Sequence, residues 1–448
     1  MALRGLQNLT NARQIALELL NRVRASESYI NLLLPKELAK HEISDADRGL
    51  VQELSYGVLR WQLQYDAIID HLTPGKTLSP GLRAAIQLGL HQLFRMRIPT
   101  HAAINETLDL VKQFEASAAG LCNAVLRNAE RAGHDNLLAI LIEGQEDLTR
   151  LSIEFSHPKW IISGMKSALE LDGRTSDLAE LLSANNQTPV VNLIAITSSA
   201  SAELEALGLQ RGSASPNGFL CIGNPLEYLS IPGVRVQDQG SQLVALALSK
   251  VADKTGTWLD MCSGPGGKAA VLEHAVSGSG NLVCYEPHVK RSKLVSSALA
   301  DPESTPVLVK RGQDAPESSF AAILLDAPCA GLGSLRRKPE SRWTKKPEQL
   351  PSLTKLQAEL IDAAVLALEP GGILMYATCS PLVVETNAQI RAALDRHANI
   401  SLVDLVPVMQ ELAPGLELNT SRKTVQLWPH RHGTDAMFMA LLKKDEGN

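Results

Sequence analysis

From about residue 236 onward the chain alternates short apolar runs with helix-length stretches, and this alternation constrains its fold more than any other feature. The runs TGTWLDM, NLVCYE, TPVLVK, FAAILLD and GGILMYAT have the length and residue types of buried strands. Helical stretches begin at Gly267 and Val289, and a longer one covers 353–368. Parallel strands need crossover connections, so this order predicts an α/β fold, a doubly wound sheet with helices on both faces. Ligands of such sheets bind beyond the carboxyl ends of the strands. Four runs end there on reactive or polar groups: Asp260 with the loop CSGPGGK, then Glu286, then Asp326 with Cys329, and finally Cys379. The topology predicts that all four meet in one crevice.

The remainder of the chain has a different texture. Ala16, Leu19, Leu20 and Val23 recur at helical spacing, as do Leu82, Ile86, Leu90 and Leu93. Pro99 and Thr100 open a helix whose buried face is Ile104, Leu108 and Val111. Residues 1–145 therefore read as an all-α domain. Residues 146–235 hold a β-branched run, PVVNLIAIT, a short helical stretch, and pieces punctuated by Gly and Pro. They read as a small α+β subdomain that precedes a catalytic domain over 236–448. A chain of 448 residues has room for three domains of about 150 each.

The six cysteines form no C-x-x-C pair, so neither a disulfide framework nor a zinc site is expected, and no metal. The N-terminal MALRGLQNLTNARQ has no apolar core of a secretory signal, and no run approaches the ~18–20 residues of a membrane span. A cytoplasmic monomer without a membrane partner is the expectation. A net charge of −5 does not advertise nucleic-acid binding, but phosphate affinity depends on local patches. Such a patch is RRKPESRWTKK over 336–346, with Arg336, Arg337, Lys338 and Arg342 among its cations and Trp343 inside it. A solvated loop is the plain reading. Its position just after Asp326 and Cys329 favours RNA contacts instead.

In the loop after Asp260, the glycines at 264, 266 and 267 let the backbone turn sharply and approach a ligand closely. The helix start that follows suits a polar or anionic group. An acidic side chain at the end of the second strand, Glu286, can accept both hydroxyls of a ribose. NAD, FAD and S-adenosylmethionine enzymes all use glycine-rich turns of this kind, but the spacing here is not G-x-G-x-x-G. Two thiols, a carboxylate and a methyl donor together suit one reaction. C5 of cytosine is too poor a nucleophile to take a methyl group directly, whereas a thiolate adding to C6 makes C5 enamine-like. Asp326 can assist at N3, and a second thiol can serve release. A pair of buried structural cysteines is the plainer alternative.

CSGPGGK, LLDAPCAG and YATCSP resemble the motifs of the Nop2/Sun (Fmu) family of RNA cytosine-C5 methyltransferases. VRVQDQGSQLVALAL resembles that family's lead-in strand and helix, and GTDAMFMALLKK its closing strand. RIPTHAAINETLDLVK and GLCNAVLRNAER are similar to a NusB-like RNA-binding domain, which within the family is attached to the bacterial 16S ribosomal RNA enzyme. The resemblance implies a NusB-like domain over 1–145, a Rossmann-like methyltransferase domain, S-adenosylmethionine as cofactor and ribosomal RNA as substrate. It implies that Cys262, Ser263, Gly264, Pro265, Gly266, Gly267 and Lys268 cradle the cofactor, with Glu286 at its ribose and Asp314 at its adenine. Asp326 would meet cofactor and base, Cys379 would be the nucleophile, Cys329 would serve release, and Lys268 would join the catalytic group. Arg336, Arg337, Lys338 and Arg342 would bind RNA. The chain departs from the family in reading Ser-Gly for Ala-Ala in the loop, RGQDAP where Gly-Asp is usual, and Glu385-Thr-Asn387 for Glu-Glu-Asn. A transfer-RNA cytosine methyltransferase and a non-catalytic NusB-like RNA-binding factor are the competing readings.

Overall fold

The computed structural model describes residues 12–26 and 28–446, so most of the N-terminal stretch read above for a signal lies outside the described residues. The chain divides into two compact units. One runs to Ser163 and also takes in Leu335–Lys345; the other comprises Gly164–Ser334 and everything from Lys346 onward.

The first unit is helical: α1 (Ala12–Ser26), α2 (Ile30–Leu38), α3 (Asp45–Leu72), α4 (Pro80–Arg95), α5 (Thr100–Glu115), α6 (Ala119–Ala132), α7 (His134–Ile142) and α8 (Asp147–Phe155). Local chemistry sets the starts. The Ser44 hydroxyl accepts the Asp47 N–H at 3.1 Å, and Ser79 does the same for Leu82, with Pro80 opening α4. The predicted stripes point inward: Ala16, Leu19, Leu20 and Val23 are buried, as are Leu82, Ile86, Leu90, Ile104 and Val111, while Leu93 and Leu108 are half-buried against the same core. Helix α8 packs on α3 and α7, so this unit extends past the predicted boundary at 145.

Leu335–Lys345 is the main correction to the sequence reading. Arg342 is 1 % exposed and donates to the carbonyls of Arg60 at 2.7 Å and Ser156 at 3.2 Å. Arg336 is buried too, and its carbonyl accepts from the Arg60 guanidinium at 2.9 Å. Trp343 donates its indole N–H to the Leu59 carbonyl at 2.7 Å and packs on the helical core. Lys338 lies 5.1 Å from the Tyr29 ring, while Arg337 is exposed. The run read as a phosphate-binding loop therefore folds into the helical unit, with Arg336 and Arg342 buried and the Arg342 guanidinium satisfying two backbone carbonyls instead of facing solvent. Long cationic side chains do this when their planar donors match orphan acceptors.

The second unit contains two sheets. β1 (Asn192–Ala195) pairs antiparallel with β2 (Gly218–Leu220) and β3 (Val234–Val236). The strand VRV, read as the lead-in to the catalytic domain, belongs to this small sheet. The large sheet holds β4 (Thr257–Asp260), β5 (Asn281–Tyr285), β6 (Val307–Leu308), β7 (Phe320–Asp326), β8 (Leu368–Thr378), β9 (Ile400–Val403), β10 (Val425–Gln426) and β11 (Phe438–Lys444). Its order is β10-β11-β8-β7-β4-β5-β6, with β9 also on β11. β4 to β8 pair in parallel, whereas β9, β10 and β8 all pair antiparallel with β11. Alternate residues enter opposite cores. Trp258, Cys284, Leu324 and Met375 face the helices Gln239–Val251 and Gly267–Val276, while Leu259, Tyr285, Ile323 and Leu374 face Leu350–Ala367. The sheet is thus doubly wound, and all five parallel strands end on one edge.

Candidate active site

Across that edge the order β8-β7-β4-β5 lines up Cys379, Asp326 with Cys329, Asp260, and Glu286. The predicted convergence follows from this arrangement. After Asp260 the chain turns through Cys262, Ser263, Gly264, Pro265 and Gly266 into the helix Gly267–Val276. Gly266 has φ +104°, and a Cβ there would come within 2.9 Å of the Val295 backbone. A Cβ on Gly264 would lie 2.1 Å from Glu286 Oε2, so the missing side chain is what lets the loop meet this carboxylate. The Ser263 N–H donates to the Tyr285 carbonyl at 3.0 Å, which fastens the loop to the end of β5.

Glu286 is buried, accepts the His288 N–H at 2.9 Å and pairs with Arg291 at 3.3 Å. Arg291 also donates to the Gly264 carbonyl at 2.8 Å. Sequence reasoning passed over Arg291; its place five residues after the acidic strand end is the signal that was available. Asp260 is buried, and both its carboxylate oxygens lack a hydrogen-bond partner among the described residues. Burial, and then the charge of Asp326, push its carboxyl up to about 7. Asp314 ends the short turn Gly312–Asp314 after β6, and its carboxylate accepts from the Arg311 guanidinium at 3.0 Å.

Lys268, in the first turn of its helix, donates to Asp326 Oδ2 at 2.6 Å. Burial alone would lower its ammonium, but Asp326, Cys379 and Asp260 together raise it, so it stays protonated. The sulfurs of Cys329 and Cys379 lie 3.5 Å apart, both half-buried. The hydrogen bond to Cys379, then burial and the nearby charges of Cys379, Glu385 and Asp326, hold the Cys329 thiol well above its ordinary value. Burial, with Asp260 next, also pushes up the thiols of Cys262 and Cys284, and burial raises Cys122 to about 12. The two strand-end thiols are therefore set apart by facing one another. Gln357 and Ser380, unnoticed in the sequence, brace the loops carrying them through Glu385. Among the described residues no group of three or more His, Cys, Asp or Glu is arranged to hold a metal, and no helix is long and apolar enough to cross a membrane.

Residues 245–443 match the family described as 16S rRNA methyltransferase RsmB/F, and residues 10–131 match the NusB family. A Mycobacterium tuberculosis H37Rv protein bearing a methyltransferase name is 36% identical over 454 residues, covering 97% of each chain. The ribosomal RNA small subunit methyltransferase B of Pseudomonas putida KT2440 is 33% identical, covering 97% of this chain and 98% of that one. The crystal structure of PH0851 superposes with a TM-score of 0.77 at 21% identity, covering 98% of this chain and 100% of that one, a likeness of fold.

Proposed function

The chain belongs to the RsmB/F methyltransferase family, and on that premise we propose that it methylates C5 of a cytosine in 16S ribosomal RNA through a covalent adduct on Cys379. The observation that carries this reading is the 3.5 Å approach of the Cys329 and Cys379 sulfurs beside the Lys268–Asp326 pair. The residues present fit S-adenosylmethionine. Gly264 leaves a cradle against Glu286 that a Cβ would fill, and the unpartnered carboxylate of Asp260 lies buried below the same loop. Cys262 to Lys268 would hold its amino-acid end, Glu286 its ribose hydroxyls, and Asp314 its adenine. When bound, it supplies an electrophilic methyl group.

The chain's own residues do the rest. The target base must leave its stack, at a cost of a few kcal/mol. The Cys379 thiolate adds to C6, forming an S–C bond and driving the ring π electrons toward N3, so that C5 becomes nucleophilic. The proton gained at N3 comes from the hydrogen-bonded Lys268–Asp326 pair. Cationic Lys268, within electrostatic reach of Cys379, favours its thiolate. Once C5 is methylated, loss of its proton to a base, departure of the Cys379 thiolate as the S–C6 bond breaks and return of the N3 proton to the Lys268–Asp326 pair restore the aromatic ring. Cys329 serves that release. An RNA substrate of this kind puts the work in the cytoplasm, with the NusB-like helices and the exposed Arg337 contributing to RNA capture.

The test is adduct trapping with a ribosomal RNA fragment. Cys379→Ala abolishes methylation and forms no adduct. Cys329→Ala attacks and methylates but stalls, accumulating a protein–RNA adduct that survives denaturing gel electrophoresis and disappears when Cys379 is also removed. Trapping in Cys379→Ala alone would exchange the two roles, and full activity in both single variants would end the covalent reading.

A further inference from the structure

We infer that Glu385 is the positioning residue that divides the labour between the two cysteines, an inference that rests on the covalent reading above. The last backbone rung joining the two strand ends runs from the Ala327 N–H to the Ala377 carbonyl at 2.8 Å. Beyond it the two loops have no ladder until the Gly333 N–H reaches the Cys379 carbonyl at 2.9 Å. Glu385 fills this interval. Its carboxylate is fully buried; Oε1 accepts the Ala330 N–H at 2.8 Å and the Gln357 amide at 3.1 Å, and Oε2 accepts the Ser380 hydroxyl at 2.5 Å.

Ala330 directly follows Cys329, and Ser380 directly follows Cys379. One side chain therefore fixes the residue after each thiol, and with them the separation of the two sulfurs. Gln357 also donates to the Pro328 carbonyl at 2.8 Å, so the Cys329 loop is held on both sides. The Tyr376 hydroxyl donates to the Glu385 carbonyl at 2.8 Å and anchors the turn that presents the side chain. Three donors converge on the carboxylate oxygens, which suits an acceptor-only group.

Geometry and charge act in the same direction. Two sulfurs this close cannot both ionise cheaply, so one keeps a proton. The groups that most raise the Cys329 thiol are Cys379, Glu385 and Asp326, and the Tyr376 hydroxyl also feels its charge. Cys379 instead has Lys268 within reach. The hydrogen bond to Cys379 and burial hold the proton on Cys329 first, the negative charge of Glu385 adds to them, and Cys379 is left as the nucleophile.

The experiment uses the full chain with S-adenosylmethionine and a 16S ribosomal RNA fragment, comparing Glu385→Gln and Ser380→Ala with the unaltered protein. For Glu385→Gln, kcat should fall about tenfold to a hundredfold while the KM for RNA moves less than about twofold, as expected for lost charge-assisted hydrogen bonds outside the substrate contacts. A Cys379-dependent adduct should build up, because a displaced Cys329 releases product slowly. Iodoacetamide labelling followed peptide by peptide should show Cys329 reacting at lower pH than in the unaltered protein. A merely structural contact would not move that profile. Ser380→Ala keeps the charge, so it should slow turnover without shifting the labelling.

Unaltered kcat and labelling in Glu385→Gln, alongside a Cys329→Ala control that does form adduct, would overturn the positioning role and leave the covalent reading standing. A control that forms no adduct would overturn both. Should Glu385→Gln fail to fold, Ser380→Ala decides: turnover and adduct levels like the unaltered protein's would overturn the proposal.

Discussion

The strand-end loops around Cys329 and Cys379 and the segment Leu335–Lys345 are both dense in polar side chains, and only a few residues separate Cys329 from Leu335, yet they use their polarity in opposite ways. On the sheet edge, polar groups keep capacity to spare: both Asp260 carboxylate oxygens are without a partner among the described residues, and two thiols face each other. In Leu335–Lys345 the paired polar groups serve the fold's own backbone, although Glu340 Oε2 is likewise without a partner among the described residues. Arg342 serves two backbone carbonyls, Glu340 accepts the Ile30 N–H at 3.1 Å, and Trp343 donates to Leu59. Residue type alone does not separate a site from a structural clip. What separates them is whether the backbone's periodicity dictates where the side chain points.

This contrast can be broken by two substitutions measured together. Arg342→Ala strands two buried carbonyls at about 1–3 kcal/mol each, so it should destabilise the helical unit by roughly 2–6 kcal/mol while leaving S-adenosylmethionine affinity unchanged. Glu286→Ala should weaken cofactor binding by about 1.5–3 kcal/mol and, because it also releases the His288 N–H and Arg291, cost about 1 kcal/mol in folding. Chemical denaturation and calorimetry on both proteins read the two quantities. If Arg342→Ala instead altered cofactor affinity, or Glu286→Ala left cofactor affinity unchanged, the distinction between the two uses of polarity would fail.

The same contrast explains what was legible in the sequence. A parallel strand fixes both the face and the end on which a residue emerges, so Asp260, Glu286, Asp326 and Cys379 could be assigned to one edge from their runs alone. The helical stripes were legible for the same reason. Segment 335–345 has no such period, and its partners are remote: Ile30 and Glu340 are 310 residues apart in the chain. Charge was therefore the one cue available, and charge does not indicate direction. Likewise the closing strand β11 was legible only through the family resemblance, and its antiparallel pairing with β8 depends on a return path that no local pattern encodes. Glu385 stood out in the sequence only by its place after the nucleophile, since a carboxylate that joins two loops looks like any surface glutamate until they are folded.

Glu340 sharpens the comparison through pH. Burial raises its carboxyl to about 7 from an ordinary 4.5, against weaker opposing effects of the backbone N–H groups and Lys338. Between those values the folded chain holds a proton that the unfolded chain has lost, so stability falls as pH rises through this window. Hydrogen exchange of the helical unit should therefore show more protection at pH 5 than at pH 7.5. Glu340→Gln keeps an acceptor for Ile30 and should flatten that dependence. An unchanged slope in the variant would assign it to another group.

The smallest expected effect lies inside the basic run itself, where the two uses of polarity occur side by side. Arg337 is exposed, whereas Arg336 is buried with its carbonyl bound by Arg60. If solvent-facing charge is what captures RNA, Arg337→Ala should reduce the slope of log affinity against log salt by about one unit, the share of a single phosphate contact. Its stability should change by less than about 0.5 kcal/mol, as is usual for a surface substitution. Arg336→Ala should show the opposite balance, with reduced stability and an unaltered salt slope, because a buried guanidinium releases no counterions when RNA binds. Equal slopes for both variants and the unaltered protein would remove 335–345 from RNA capture and leave the segment as a clip of the helical unit.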